Sequence, residues 1–339
     1  MRIKVKELAG LMNLSPSTVS LVLNNKPGIS EATRNRVKKA VRELGYEELI
    51  IDKKEKKKSY LFIIHRKTTE ETEDSLYFSQ FFSEIIEGVE SQIKARGYSL
   101  MISYMDGKTT REEVVEYCKG NPEGILILAT DLEEDQISIF DHCNVPLVII
   151  DNYLENKKIN CITINNEKGV YEAVKYLVDM GHKRIGYLHI ANHTKNFKER
   201  YFGYKRAAEL CGLYIESEDI IDISAKGSEP VYRELKKNFE GKEKLPTAFF
   251  SDNDVVALCA VKALKELGYR VPDDISIVGF DNMAFAEMTD PPLTTVQIPK
   301  HLLGVIAANT IVDMKKALIG LIKIEVGTDL VIRSSVKKL

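Results

Sequence analysis

LSPSTVSLVLNNKPGISEATRNRVKKAVRELGY, residues 14–46, is the stretch that decides how the start of the chain folds. Ser15 is a favourable N-cap, and Pro16 then falls at the first helical position, where its missing N–H costs nothing. Ser30 caps a second helix, and Gly45 ends it because glycine readily adopts a left-handed backbone. A shorter apolar stripe before Ser15 predicts a third helix. Only about two residues separate that helix from the next, and such close spacing is typical of a helix-turn-helix.

The charge of the chain is divided unevenly along its length. The whole sequence has 48 Lys and Arg against 50 Asp and Glu. Residues 1–60 carry 14 basic and 7 acidic side chains, a net charge of +7, whereas the remainder carries 34 and 43, a net charge of −9. Because neutralised phosphates supply much of the affinity of proteins for DNA, this asymmetry predicts a polyanion partner for the head alone. The alternative is a small helical module that binds protein.

Several motifs of the head resemble the DNA-binding domain of the lactose/galactose repressor family of bacterial regulators. They are a Ser-x-x-Thr-Val-Ser core at 15–20, a Thr-Arg-x-x-Val run at 33–37 and a Leu-Gly-Tyr end at 44–46. The resemblance implies that phosphates are held by Thr18, Ser20 and Asn24. It also implies that Pro16, Ser17 and Leu21, which follow the capping residue Ser15, face base edges in the major groove.

Leu21 departs from the family, because many members have Arg or His at this position. Leucine cannot form the paired hydrogen bonds that read guanine, although it can pack on a thymine methyl group. We therefore expect an unusual or loose operator preference. The alternative is that Leu21 is simply an exposed apolar residue.

Residues 47–59, EELIIDKKEKKKS, also depart from the family pattern. Members usually carry Pro-Asn, then Ala-Arg, then a Leu that wedges into the minor groove, and the acidic Glu55 cannot act as an apolar wedge. The lysines between 53 and 58 form either a solvated tether, which we favour, or a track along phosphates. In the second case the substitute wedge would be Leu49, Ile50 or Ile51.

The chain after residue 60 alternates β-branched runs with amphipathic segments. This alternation predicts parallel sheets covered by helices on both faces, and the number of strands favours two sheets in two lobes. The expected fold class is α/β, with a three-helix helix-turn-helix head and a two-lobed core of Rossmann-like parallel sheets. Strands are predicted at 60–65, 98–104, 124–128, 146–150, 184–189, 220–223, 247–250 and 275–279, with returns of the chain at 293–298 and 330–333.

The body resembles the effector-binding core of the same family, which is related to periplasmic sugar-binding proteins. The runs INNEKGVYEAVKYLVDMGHKRIGYL, PTAFFSDNDVVALCAVKAL and VPDDISIVGFDN carry this resemblance. Residues 66–80 form a stretch longer than most members have, either a lid or a solvated insertion. The predicted domains are the head (1–46), the linker (47–59), a first lobe (60–163 and 292–322) and a second lobe (164–291 and 323–339).

Six residues are candidates for binding a small effector, which the resemblance indicates is a sugar or its derivative. Phe81 and Phe82 occupy the aromatic positions of the family, and Arg200 matches an arginine that grips effector oxygens. The other three follow predicted strands, at the edge where open α/β sheets bind ligands. They are Asp151, Asn253 and Asp281, and Asn253 has the alternative role of capping the next helix. Asn165 is a weaker candidate.

Other classes of function find little support in the sequence. No phosphate-binding loop, nucleophile elbow or zinc pattern is present, so we expect neither an enzyme nor a bound metal or cofactor. The five scattered cysteines, the absence of an apolar run near 20 residues and the lack of a secretory signal favour the cytoplasm. The predicted function is a homodimeric, DNA-binding transcriptional repressor controlled by a small molecule. A sugar-sensing adaptor and a sugar- or nucleoside-modifying enzyme are the alternatives.

Overall fold

A computed structural model of the chain describes residues 5–49, 58–66, 75–191, 194–314 and 320–339. The chain divides into two compact units, residues 1–57 and 58–339. The predictions for linker residues 50–57 and for 67–74 of the long stretch lie outside the described residues.

The head consists of the three predicted helices, α1 (Val5–Leu11), α2 (Pro16–Leu23) and α3 (Glu31–Glu43). Both predicted caps are confirmed: Oγ of Ser15 accepts from the backbone N–H of Thr18 at 3.0 Å, and Oγ of Ser30 from that of Thr33 at 3.3 Å. One small core joins the helices through Leu8, Ala9, Met12, Val19, Val22, Leu23, Val37 and Val41. A short 3-10 helix, Glu47–Leu49, follows.

The first lobe contains a six-stranded parallel sheet in the order β11-β5-β4-β3-β1-β2. Its strands are β1 (Ser59–His65), β2 (Ser99–Met105), β3 (Ile125–Leu128), β4 (Leu147–Ile150), β5 (Asn160–Ile164) and β11 (Lys323–Val326). Its helices are α4 (Ser75–Ala95), α5 (Arg111–Cys118) and α10 (Lys300–Met314), with a 3-10 helix at Gln136–Phe140. Helices α4 and α10 touch so closely that a Cβ at Gly88 or Gly304 would collide with the facing backbone.

The second lobe contains a second six-stranded sheet, in the order β12-β10-β9-β8-β6-β7, in which β12 alone runs antiparallel to its neighbour. Its strands are β6 (Ile185–Ile190), β7 (Ile220–Ile223), β8 (Ala248–Ser251), β9 (Ser276–Asp281), β10 (Thr294–Gln297) and β12 (Asp329–Val331). Its helices are α6 (Asn166–Asp179), α7 (Lys195–Leu210), α8 (Ser228–Glu240) and α9 (Asp254–Glu266). The α/β fold class with two parallel-dominated sheets is thus confirmed.

Three sequence-based expectations differ from this arrangement. Strands β5 and β11 were not predicted. The boundary placed at 292 falls too early, because β10 pairs with β9 in the second sheet, and the boundary at 323 also falls too early, because β11 pairs with β5 in the first. The long stretch 66–80 is shorter than expected, since α4 already begins at Ser75.

The chain therefore crosses between the lobes three times. The crossings follow β5, β10 and β11, and a single core contains residues of both lobes, such as Ile162 and Phe280. The first and third crossings lie side by side, because the backbone N–H of Asn165 donates to the carbonyl of Val326 at 2.9 Å. The carboxyl ends of both sheets meet near these crossings, where Asp151 bonds Asn196 of the second lobe and Asp281 bonds Lys300 of the first.

Candidate functional site

Arg200 lies at the centre of a buried polar cluster that also contains Asp151, Asn166 and Asp281. The residue is on α7 and only 3% exposed. Its Nε donates to Oδ1 of Asn166 at 2.9 Å, its Nη1 donates to the carbonyl of Asp252, and its Nη2 lies 3.4 Å from Oδ1 of Asp281. The guanidinium also stacks on Phe280, with Cζ 3.8 Å from the ring centroid. Ion pairing and stacking together hold the planar fork in one orientation.

Asp151 connects the two lobes from the end of β4. Its Oδ2 accepts from the hydroxyl of Thr130 at 2.6 Å, and its Oδ1 accepts from Nδ2 of Asn196 in the second lobe at 3.1 Å. Burial raises the pKa of Asp151 to about 6, although both hydrogen bonds and the positive charge of Arg200 oppose that rise. The backbone at Asp151 has a φ of 65°, a left-handed conformation that turns the chain sharply at the strand end.

Asp281 ends β9 with a φ of 106° and is buried beside Arg200. Its carbonyl accepts from Nζ of Lys300 at 2.8 Å, across from the first lobe. Nearby, Asp254 accepts from the hydroxyl of Thr295 at 2.5 Å and from the backbone N–H of Met283 at 2.7 Å. Burial and the charge of Asp281 raise the pKa of Asp254 to about 8, so this carboxyl group is protonated at neutral pH.

Asn253, Phe81 and Phe82 make no hydrogen bond to Arg200, Asp151 or Asp281 among the contacts that the structure describes. The side chain of Asn253 accepts from the backbone N–H of Val256 at 2.9 Å and so caps α9, which is the alternative raised from the sequence. Phe81 approaches the cluster through Lys300, whose Nζ is 5.7 Å from the ring centroid. Phe82 packs edge-to-face on Phe81 at 5.7 Å, and both rings belong to the core that the lobes share.

Sequence reasoning missed several members of the cluster. Asp252 is fully buried and accepts from the hydroxyl of Tyr187, from the backbone N–H of Ile190 at 2.6 Å and at Oδ2 from His189, 2.8 Å away. Asn166 bonds Arg200, whereas the weaker candidate Asn165 caps α6. The signals were available: the run Ser251–Asp254 places four polar residues together in a buried stretch, and Lys300 starts a largely apolar helix.

A cavity of about 620 Å³ opens between the lobes beside this cluster. The first lobe contributes residues 130–134 and 152–155, and the second lobe contributes Glu167, Thr194, Lys195, Lys198, Glu199 and Phe202. An ion pair joins its two walls, because Nζ of Lys195 in the second lobe lies 2.5 Å from Oε1 of Glu155 in the first lobe and 4.3 Å from the ring centroid of Tyr153. The cavity contacts the cluster at Thr130, which bonds Asp151. A ligand that fills it would touch both lobes.

The second candidate site is the outer face of α2 in the head. Ser15, Pro16, Ser17, Leu21 and Asn24 are exposed there, and Thr18 and Ser20 are partly exposed. The opposite face of the same helix supplies Val19, Val22 and Leu23 to the core. Hydroxyl groups cluster at the start of the helix, where Oγ of Ser15 lies 2.8 Å from Oγ of Ser17 and 2.8 Å from Oγ1 of Thr18. The arrangement leaves a polar face with one leucine available to a partner.

Within the described residues, no group of three or more His, Cys, Asp or Glu side chains could hold a metal ion. Every helix in that same part of the chain is too short or too polar to cross a membrane.

Comparison with known proteins gives consistent matches along the whole length. Residues 4–48 match the model of bacterial regulatory proteins of the lacI family, and residues 174–336 match a periplasmic binding protein-like domain. The HTH-type transcriptional repressor PurR of Vibrio campbellii is 33% identical over 339 residues, covering 99% of each chain. PurR of Mannheimia succiniciproducens is 32% identical over 344 residues, again covering 99% of each.

Solved structures share the fold. The lac repressor dimer bound to operator and the anti-inducer ONPF superposes with a TM-score of 0.71 at 24% identity, covering 99% of this chain and 100% of that one. The CelR–cellobiose complex gives 0.71 at 24% identity, covering 98% and 100%. From the similarity to the PurR proteins over its full length, the chain belongs to the lacI family of bacterial regulatory proteins.

Proposed function

We propose that this protein is a transcriptional repressor whose head binds operator DNA and whose body senses an uncharged small molecule in the cleft. The observation that carries the proposal is the buried cluster of Arg200, Asp151 and Asp281, where the carboxyl ends of the two sheets meet beside the cavity. Such an edge is where open α/β folds bind ligands. The polar outer face of α2 and the net charge of +7 over residues 1–60 support DNA as the partner of the head.

The charge of the cluster supports a neutral effector. Asp254 is protonated at neutral pH, and three other buried carboxyl groups, those of Asp151, Asp252 and Asp281, lie near only two cations, Arg200 and Lys300. A phosphate or carboxylate ligand would meet this acidic surplus out of water, where like charges repel strongly. Hydroxyl and ring N–H groups instead donate to carboxylates and accept from the guanidinium. A sugar is therefore the first candidate for the effector, and a nucleobase is the second because it offers the same donors and acceptors.

The proposed coupling works through closure of the lobes. A ligand that bonds residues of both lobes stabilises one closure state over another by its difference in affinity for them. In a homodimer, that state changes how well two heads fit two half-sites, and the effector thereby changes the affinity for operator DNA. A repressor of this kind acts in the cytoplasm, where its DNA is.

A ligand screen on the full-length protein tests the proposal. Neutral sugars, the matching sugar phosphates and nucleobases are added to the protein, and the melting temperature is recorded. A ligand at 100 times its Kd stabilises the native state by about 2.7 kcal/mol. We expect a neutral compound to raise the melting temperature and to change the affinity for duplex DNA. A sugar phosphate that binds more tightly than its parent sugar would contradict the charge argument.

A shortened chain separates the two parts of the proposal. The cut belongs before Lys58, because the carbonyl of Lys58 accepts from the backbone N–H of Ser99 at 3.0 Å and so belongs to the body. Residues 58–339 should keep the melting response to the ligand and lose specific binding to duplex DNA. Specific binding by this shortened chain would contradict the assignment of the head. Turnover of the ligand would favour an enzyme, and binding of a protein instead of DNA would favour an adaptor.

A further inference from the structure

Two cysteines of the first lobe lie in contact although 25 residues separate them along the chain. Cys118 is the last residue of α5, and Cys143 lies in the segment after the 3-10 helix Gln136–Phe140. Their sulfur atoms are 2.9 Å apart, which is closer than two sulfurs packed without a bond usually come. A disulfide bond is about 2.05 Å long, so its formation needs the sulfurs to approach by less than about 1 Å.

The pair is accessible to small reagents and lies apart from the other three cysteines. Both side chains are partly exposed, so a small reagent can reach them. Cys161 and Cys259 are buried on β5 and α9, and Cys211 follows α7 in the other lobe, so these three lie on separate parts of the fold. No third metal ligand joins the pair among the residues described by the structure, which argues against a metal site. We propose that Cys118 and Cys143 are a modification site at which a low-molecular-weight disulfide forms a reversible intramolecular disulfide bond.

The reaction is two successive thiol–disulfide exchanges. One protein sulfur attacks the reagent disulfide, which forms a mixed disulfide and releases the first reagent thiol. The second protein sulfur attacks the protein-bound sulfur of that mixed disulfide and releases the second reagent thiol. The two protein S–H protons end on the two released thiols, the protein pair is oxidised and the reagent is reduced. Burial and the adjacent Cys118 raise the pKa of Cys143 to about 12, so the rate should increase with pH.

The bridge would act on the wall of the effector cavity. The loop that it closes contains β3 and residues 130–134, which line the cavity, and Thr130 bonds Asp151. Closing a loop of this length removes conformations mainly from the unfolded chain. The oxidised protein should therefore melt roughly 5 °C or more above the reduced protein.

Thiol counting on the full-length protein tests the proposal. The reduced protein is incubated with oxidised glutathione, the remaining thiols are blocked with N-ethylmaleimide under denaturing conditions, and the product is mapped by mass spectrometry. Of the five cysteines, three should be blocked, and the Cys118 and Cys143 peptides should be found joined and be released by dithiothreitol. Five blocked cysteines, a different pairing, or a glutathione adduct that persists on the wild-type pair would overturn the proposal.

Two variants and a matched control sharpen the test. Cys118→Ser and Cys143→Ser should each retain a glutathione adduct on the remaining member of the pair, because no partner can displace it. Cys211→Ser, which changes another partly exposed cysteine, should still form the bridge. The mapping of the wild-type protein remains decisive if a variant does not fold. An oxidised protein that melts below the reduced one would show that the bridge distorts the fold, and would overturn the inference that its geometry is already in place.

Discussion

Asn196 bonds Asp151 from the opposite lobe, with its Nδ2 3.1 Å from Oδ1 and 3.3 Å from the carbonyl oxygen of Asp151. Both residues are buried, so these bonds form away from competing water. The carboxyl involved titrates close to neutrality, since burial raises its pKa to about 6. The contact between the lobes is thus formed at the residue where an effector would compete for it.

Replacement of Asn196 by Ala should lower both the free energy of unfolding and the affinity for the effector. The change leaves the buried Asp151 without one of its donors, which costs about 1–3 kcal/mol. Urea denaturation measures the loss of unfolding free energy, and the melting response to the ligand measures binding. Asn238→Ala is the control, because its side chain donates to the carbonyl of Glu234 within α8, away from the cleft. An unchanged ligand affinity in Asn196→Ala would exclude this contact from the site.

Arg200→Ala should abolish the effector response while specific DNA binding persists. Removal of the guanidinium breaks its ion pair with the buried Asp281, so we also expect a loss of about 3 kcal/mol or more of unfolding free energy. Measurements therefore belong at a temperature at which the variant remains folded. Arg206→Ala, on the same helix but with a largely exposed side chain, should respond normally. A retained response in Arg200→Ala would remove this arginine from the effector site.

The pH dependence of stability should reveal Asp254. Its pKa is 3.8 in the unfolded chain and about 8 when folded, so the folded state binds the proton more tightly. The unfolding free energy should therefore fall as the pH rises from about 4 to about 8, and Asp254 contributes at most about 1.4 kcal/mol per pH unit to this fall. Asp254→Asn should remove the decline between about pH 6 and about 8, as seen in urea denaturation at a series of pH values, and should leave the decline below pH 6 that Asp151 causes through its own pKa of about 6. Asp141→Asn, an exposed site, should keep the wild-type profile. The same slope in Asp254→Asn and wild type would show that Asp254 is ionised when folded.

Substitutions at two neighbouring positions of α2 should distinguish sequence recognition by the head from the stability of the head. Leu21 is 36% exposed and Val22 is fully buried. Leu21→Ala should alter the sequences selected from random duplexes, because the apolar contact to a base is lost, and should leave the melting of the head unchanged. Val22→Ala should lower the stability of the head by roughly 2 kcal/mol and should weaken binding to all DNA sequences equally. If Leu21→Ala selects the same sequences as wild type, Leu21 faces no base.

The local signals in the sequence were sufficient for much of the fold. Ser15 and Ser30 cap their helices as predicted, because capping depends only on the residues next to the helix. Strand pairing, by contrast, depends on residues far apart. Strand β11 reads KIEV, with two charges among four residues, and becomes a strand by pairing with β5, about 160 residues earlier. No local pattern shows that β10 and β11 exchange lobes.

The same distinction holds for the site. Asp151 and Asp281 could be identified because each directly follows a β-branched or apolar run, and strand ends are where such folds bind ligands. Asn196 and Asn166 could not, because their role arises only when α6 and α7 pack together, so that Asn166 bonds both Asn196 and Arg200. Asn253 has two roles open to it in the sequence, and the geometry of α9 shows the cap.

The three crossings between the lobes limit how the lobes can move relative to each other. Between the last residue of one element and the first of the next, they contain one residue (Asn165), two residues (Ile298 and Pro299) and two residues (Gly327 and Thr328). Segments this short prevent the lobes from moving apart by any useful distance. The motion left to them is a rotation that keeps all three crossings short. A ligand that bonds both lobes can therefore shift the body only between states that differ in the angle between the lobes.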